Sequence, residues 1–211
     1  DLVEAQEILK KLVKTRFIGI STHDINAVVD KVIKIGKHDV VQTTYSYPIG
    51  SGRNAALHRL HVAGVGVVAM KVIVAMAGFA PPPKERRDLT DEGPLAAVKW
   101  VLQNPDISTT VPYAKNLEEV EMNFRAMAEP YTSQDEKMLF ARNEEIRPLY
   151  CRMCYACKGK CPRGIPVADE LRSLAYNDFA GDFRQAHNGF MRLPIEVRTV
   201  RCRDCPACAI Q

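Results

Sequence analysis

Apolar residues fall into two alternating periods along the first 130 positions. Val3, Ile8, Leu9, Leu12 and Val13 recur at helical spacing and run into a lysine-rich end. Arg16 to Ile20 then reads as a short buried strand. Asp24 stands where a carboxylate caps a helix, and that helix has apolar positions Ile25, Val28, Val29, Val32 and Ile33. Gly36 follows as its C-terminal glycine. The unit recurs. Val40 to Tyr45 predicts a strand, residues 53–63 a helix with Ala56, Leu57 and Leu60 inward, and Gly64 its end. Gly66 to Met70 predicts a third strand. The apolar stretch from Val62 to Ala80 is interrupted by three glycines and Lys71, so it predicts a buried strand with flanking loops. A membrane helix needs about 18 uninterrupted apolar residues. Pro81 to Gly93 is a charged, non-periodic loop, and Pro94 suits the first turn of a helix through Trp100. Ser108 to Val111 predicts a fourth strand, before a helix with Leu117, Val120 and Phe124 at helical spacing.

Strands alternating with helices predict parallel pairing and right-handed crossovers. Four strand–helix units are present, whereas a closed barrel needs eight and about 250 residues. The expected class is therefore α/β: a partial (β/α)8 TIM barrel, about the second half. A standalone four-stranded sheet is the alternative, but it exposes strand edges. Ser133 and Glu136 have capping-box spacing, which predicts a helix to about Asn143. Val167, Leu171, Leu174 and Ala175 predict a mostly helical region over 166–190. The layout is residues 1–130 as half barrel, 131–150 as helical connector and 151–211 as a cysteine-bearing domain.

The cysteines change the picture most. All seven lie after residue 150. Cys151, Cys154, Cys157, Cys161 and Pro162 form a C-x2-C-x2-C-x3-C-P run, the spacing by which bacterial ferredoxins hold iron–sulfur clusters. Cys202, Cys205 and Cys208 repeat its first part. In the two-cluster pattern the fourth cysteine of each run serves the other cluster. Cys202, Cys205 and Cys208 would then hold one cluster with Cys161. Cys151, Cys154 and Cys157 would need a further cysteine at the position after Gln211, so the expectation is that the sequence is cut there. Zinc remains an alternative, although it usually takes two separated cysteine pairs. Disulfides fit less well, since small secreted scaffolds spread their cysteines through the fold. Thiolate ligands favour a reducing, cytoplasmic compartment. The long helical insert between the runs points to an α-helical variant of the ferredoxin-like domain.

The chain has 211 residues, of which 46% are hydrophobic and 26% charged, which fits a soluble globular protein with a core. It begins with Asp1 rather than Met, and a lost N-terminus is expected. Basic residues crowd the cysteine runs, among them Arg152, Lys158, Lys160, Arg163, Arg198, Arg201 and Arg203. They would stabilise a reduced, anionic cluster, or form a solvated surface. Net charge is only +4 and no aromatic platform is interleaved, so neither a nucleic-acid partner nor a membrane is expected.

Arg16 to His23, Val41-Gln42, Gly66 to Lys71, and Val111-Pro112 through Asn123 together resemble the second half of an aldo/keto reductase barrel. The cysteine tail resembles the subgroup of that family with a C-terminal domain binding two [4Fe-4S] clusters. The resemblance implies a nicotinamide-dependent oxidoreductase acting on a small carbonyl or alcohol substrate, with NADP or NAD at the strand C-terminal ends. It implies that Ser21 and Thr22 bond the nicotinamide carboxamide and that Gln42 completes the grip. Met70 stands where many relatives stack a tyrosine on the nicotinamide ring, and Lys71 would face the pyrophosphate. Asn123 would meet the adenine. Tyr113 replaces the usual lysine and Glu119 the usual arginine near the ribose 2′-phosphate. Lys115 is the substitute there, and NADP versus NAD is left open. The catalytic tyrosine, lysine, aspartate and histidine of the family belong to the barrel's first half, so no catalytic residue is expected here. His23 matches the cofactor-binding turn, not the acid–base histidine. His38, His58, His61 and His187 read as surface or core residues.

Three functions are weighed. The first is an oxidoreductase whose clusters exchange electrons with another site or a partner protein, or brace the structure. The second is an electron-transfer subunit on a degenerate barrel, and the third a zinc-stabilised interaction module. The crossed ligation predicts that Cys161→Ser loses the iron and sulfide of one cluster in anaerobically purified protein. Unchanged iron content would contradict it.

Overall fold

A capping box opens the first helix, α1 (Leu2–Lys11), with the Asp1 carboxylate accepting from Glu4 N at 2.9 Å. The computed structural model describes residues 1–73, 92–114, 116–146, 151, 157–178, 181–201 and 203. No residue of α1 is buried, and the apolar Ile8 and Leu9 stand exposed. Polar contacts hold the helix instead. Lys10 Nζ reaches the Asp39 carboxylate at 2.7 Å, Lys37 reaches Glu7 at 2.9 Å, and Gln6 Nε2 donates to Gly19 O at 2.9 Å.

The first strand, β1 (Gly19–Thr22), begins three residues later than expected. The physical reason is Asp39. Its side chain accepts from Ile18 N at 2.8 Å while its own N–H donates to Ile18 O, so the chain before Gly19 is held by a side chain rather than by a ladder. The next helix, α2 (Ile25–Ile35), starts at Asp24, whose carboxylate accepts from Ala27 N, and ends at Gly36 in the left-handed region (φ 62°), both as the sequence indicates. β2 (Val40–Thr44), α3 (Asn54–Val62) and β3 (Gly66–Met70) follow, with Ala56, Leu57 and Leu60 buried. Residues 74–80 of the long apolar stretch and most of the charged loop after it lie outside the described residues. α4 (Glu92–Leu102) starts two residues before Pro94. β4 (Thr109–Val111) and α5 (Leu117–Ala128) complete the fourth unit.

The four strands are parallel and lie in chain order, β1-β2-β3-β4. Alternate strand residues Val41, Val67 and Ala69 are fully buried, in one cluster with Ile25 and Val29 of α2, Leu57 and Leu60 of α3, Leu95 and Val98 of α4, and Met122 of α5. The helices thus cover one face of the sheet. The other face carries Ser21, Gln42, Val68, Met70 and Val111, all exposed or half-buried. A doubly wound sheet reverses its strand order and takes helices on both faces. Chain order with helices on one face is instead the arrangement of part of a (β/α)8 barrel.

α6 (Ser133–Ile146) packs Leu139 and Ile146 against Ala96 and Ala97 of α4. Its cap sits one residue earlier than Ser133/Glu136 would give. Thr132 N and Oγ1 both donate to Asp135 Oδ2 at 2.7 Å, and Asp135 N donates back to Thr132 Oγ1. Glu136 is occupied elsewhere, accepting from Tyr47 at 2.6 Å and from Tyr131 at 2.5 Å. In the cysteine-bearing part, α7 (Val167–Asp178) and α8 (Phe183–Met191) lie against each other, before a short α9 (Ile195–Arg198). A Cβ at Gly189 of α8 would stand 2.6 Å from Ser173 Oγ of α7, so a side chain there would require the Ser173 hydroxyl to turn away. The apolar spacings in α5 and α7 do not mark buried faces: Leu117, Phe124, Leu171 and Leu174 are all exposed.

Lys99 of α4 is 6% exposed and meets Asp135 Oδ2 at 2.9 Å. Burial pushes the Asp135 carboxyl up, but hydrogen bonds from Lys99 and Thr132 outweigh it and hold the group below its ordinary 3.8. A buried pair adds little net stability, yet losing Asp135 would leave buried Lys99 with only the half-exposed Glu129 carboxylate at 4.0 Å. Asp135→Asn should therefore cost about 3 kcal/mol in denaturant unfolding. The carboxyl's folded value is depressed, so its contribution is complete above pH 3.8 and is lost as pH falls through the folded value. The variant should lack that acid-dependent loss. Equal stability of variant and parent at neutral pH would contradict the clasp.

Candidate functional site

Parallel register decides which strand residues share a face. Ser21 lies opposite Gln42, and Gln42 opposite Val68, so these three form one row on the open face. Met70 lies opposite Thr44 on the same face, one step nearer the strand C-terminal ends. Thr22 points the other way by alternation, and its Oγ1 accepts from Asp24 N at 3.1 Å. Ser21 is thus exposed on the open face, while Thr22 has a local partner.

The strand ends are fastened to one another. Thr44 Oγ1 donates to His23 O at 3.1 Å, joining the end of β1 to that of β2. Buried Arg53 donates to Thr44 O at 2.9 Å. Directly after β3, Lys71 is held with φ 58°, a left-handed conformation uncommon for a residue with a Cβ. Such outliers persist only where the surrounding structure enforces them, and they concentrate at ligand sites.

A cleft of about 680 Å³ opens at this edge. One wall is His23 and Lys71, from the ends of β1 and β3. The other is the α7–α8 pair, which contributes Arg172, Tyr176, Arg184 and Arg192. Asp169 and Asp182 also line it. Asp169 is paired with Arg172, and Asp182 caps α8 through Gln185 N at 2.9 Å. Lys71, Arg184 and Arg192 have no carboxylate partner among the described residues. Partial burial lowers the His23 pKa, helped by the charges of Lys71, Arg172 and Arg53. Burial lowers Lys71 as well, again with Arg172 contributing. The cations of the two walls therefore sense each other across the cleft.

Not every residue singled out from the sequence converges here. Lys71 lines the cleft, whereas Ser21, Gln42 and Met70 lie on the open face beside it. Asn123 sits on α5, half-buried, with Oδ1 enclosed and without a hydrogen-bond partner among the described residues. A buried, unpaired acceptor is costly and suits a ligand that brings a donor such as an exocyclic amine. Lys115 lies outside the described residues, as do Cys154, Cys202, Cys205 and Cys208. Cys157 and Cys161 are half-buried on successive turns and form no disulfide. Among the described residues there is no cluster of three metal-ligating side chains. The arginines of the α7–α8 wall are what sequence reasoning missed. Their signal was present: Arg184, Asn188 and Arg192 recur every four residues, a polar stripe along one helix.

A second hollow, of about 380 Å³, lies beside Trp100. Its polar groups satisfy each other, with Tyr45 donating to Asn54 at 2.9 Å and Asn104 to Tyr45 at 2.8 Å. Tyr45 also stacks on Trp100 at 5.1 Å between ring centroids. This saturation marks a structural cluster rather than a binding site.

No family model matches the sequence, and no curated relative is found. Solved structures do match. The holo form of aldo-keto reductase AKR11C1 from Bacillus halodurans superposes with a TM-score of 0.51 at 20% identity, covering 66% of this chain and 54% of that one. Its apo form gives 0.50 at 19% identity, covering 66% and 55%. The chain thus shares the aldo-keto reductase fold over 66% of its length and spans about half the length of these proteins. Among the described residues no helix is long and apolar enough to cross a membrane.

The cleft assignment predicts that the His23 imidazole titrates below 6.5 by NMR, and that Lys71→Met moves its midpoint upward. A midpoint unaffected by that substitution would remove Lys71 from the wall facing His23.

Proposed function

We propose that this chain is the nucleotide-binding half of an aldo/keto reductase-type oxidoreductase that also carries [4Fe-4S] clusters. The carrying observation is the row that sets Ser21 beside Gln42 on an open sheet face, with Lys71 one strand further on at the same edge. In a barrel of this kind ligands sit at the C-terminal ends of the strands. Ser21 and Gln42 offer a hydroxyl and an amide to a planar carboxamide, which needs both a donor and an acceptor. Met70 provides a polarizable thioether for an aromatic ring over the same face. Lys71 supplies positive charge for phosphate, and the unpaired Asn123 Oδ1 supplies an acceptor for an adenine amine. NADP or NAD, when bound, would carry the hydride. The protein's own share is grip, orientation and exclusion of water. Lys115 remains the candidate for the 2′-phosphate of NADP.

The clusters rest on the seven cysteines. Soft thiolates at C-x2-C-x2-C-x3-C spacing are the donor set that iron–sulfur takes. Cys157 and Cys161, half-buried on turns and outside any disulfide, suit that use. A carbonyl or alcohol of small size is the expected substrate, and an electron-transfer partner is required only if the clusters relay electrons.

Titrating the anaerobically purified 211-residue chain with NADPH and NADH tests the nucleotide reading. Gln42→Ala should weaken binding about tenfold, the loss of one or two hydrogen bonds to an amide. Equal affinity of variant and parent would remove Gln42 from the site.

A further inference from the structure

The helical part between the two cysteine runs is placed to do more than separate them. We propose that the α7–α8 pair completes a phosphate-binding site at the end of the sheet, with Lys71 on one wall and Arg184 and Arg192 on the other. The inference deepens the nucleotide reading above and rests on it only for the identity of the phosphate's owner.

Four observations converge. The cleft has a volume of about 680 Å³, within the range of small-molecule sites. It lies at the C-terminal edge of a parallel sheet, where this architecture binds ligands. Its lining holds Lys71, Arg172, Arg184 and Arg192 against two carboxylates. Both carboxylates have local partners, Asp169 the Arg172 guanidinium and Asp182 the backbone of α8. The surplus is two positive charges lining one cleft, a field that draws in an anion. Finally, Lys71 is held in the left-handed region at the cleft mouth, an arrangement that the surroundings must enforce.

A phosphate or diphosphate fits this site. Its oxygens accept several charge-assisted hydrogen bonds at once, and guanidinium groups match them bidentately. The phosphate can belong to the nicotinamide nucleotide or to a phosphorylated substrate. The test therefore uses inorganic pyrophosphate and NADPH separately and together on the whole chain, with binding read by calorimetry. Pyrophosphate should bind the parent and lose about tenfold in affinity in Lys71→Met and in the double variant Arg184→Gln/Arg192→Gln. Both arginines are exposed on α8, and Arg184→Lys/Arg192→Lys should recover part of the loss, which separates charge from folding. Competition between pyrophosphate and NADPH assigns the phosphate to the nucleotide, and simultaneous binding assigns it to a second ligand. Either outcome upholds the site. Pyrophosphate affinity unchanged in the arginine double variant overturns the proposal, even if Gln42→Ala still weakens NADPH. Conversely, arginine-dependent pyrophosphate binding without NADPH binding keeps this site and removes the nucleotide reading.

Discussion

Parallel strands laid side by side in chain order bring all their C-terminal ends to one edge of the sheet. Every other property of this protein's candidate site follows from that placement. The helices α2 to α5 bury alternate strand residues on one face, so the remaining alternate residues must line the other. A polar residue near the end of a strand then has two choices: it satisfies the adjoining loop, or it meets a ligand. Thr22, Thr44 and Arg53 take the first course, through Asp24 N, His23 O and Thr44 O. Ser21, Gln42 and Lys71 make no such side-chain bond among the described residues, which is why they are proposed to meet a ligand.

The cysteine-bearing part reaches the same edge. α7 and α8 form a wall opposite His23 and Lys71, and burial, helped by the charges of Lys71 and Arg172, lowers the His23 pKa. The cysteine-bearing part and the parallel sheet thus share the lining of one cleft. The arrangement gives the helical insert between the cysteine runs a role that spacing alone does not disclose.

Much of the α/β part was legible from local rules. Asp24 and Gly36 bracket α2 as a capping carboxylate and a left-handed glycine should, and the buried positions of α3 follow from helical periodicity. Four strands and their parallel pairing were expected from the alternation of units, and all four are present in one parallel sheet. Less legible were features set by tertiary contact. β1 starts late because the Asp39 side chain takes over the backbone of Ile18. The cap of α6 moves to Thr132 and Asp135 because Glu136 is drawn off by two tyrosines. The apolar spacings of α5 and α7 were visible, but which face is buried depends on what packs there. The cleft arginines were hidden for the same reason. Their stripe is readable as a helix face, and only the fold shows that it faces Lys71.

The central claim is that the strand-end edge and the α7–α8 wall form one ligand site. Amide hydrogen exchange of the whole anaerobic chain, with and without saturating NADPH, tests this most directly. The account predicts slowed exchange at two places together: the ends of β1 to β3 around His23, Tyr45 and Lys71, and the α8 segment from Arg184 to Arg192. Saturated binding that leaves both segments unprotected, or protects only surfaces remote from them, would contradict it.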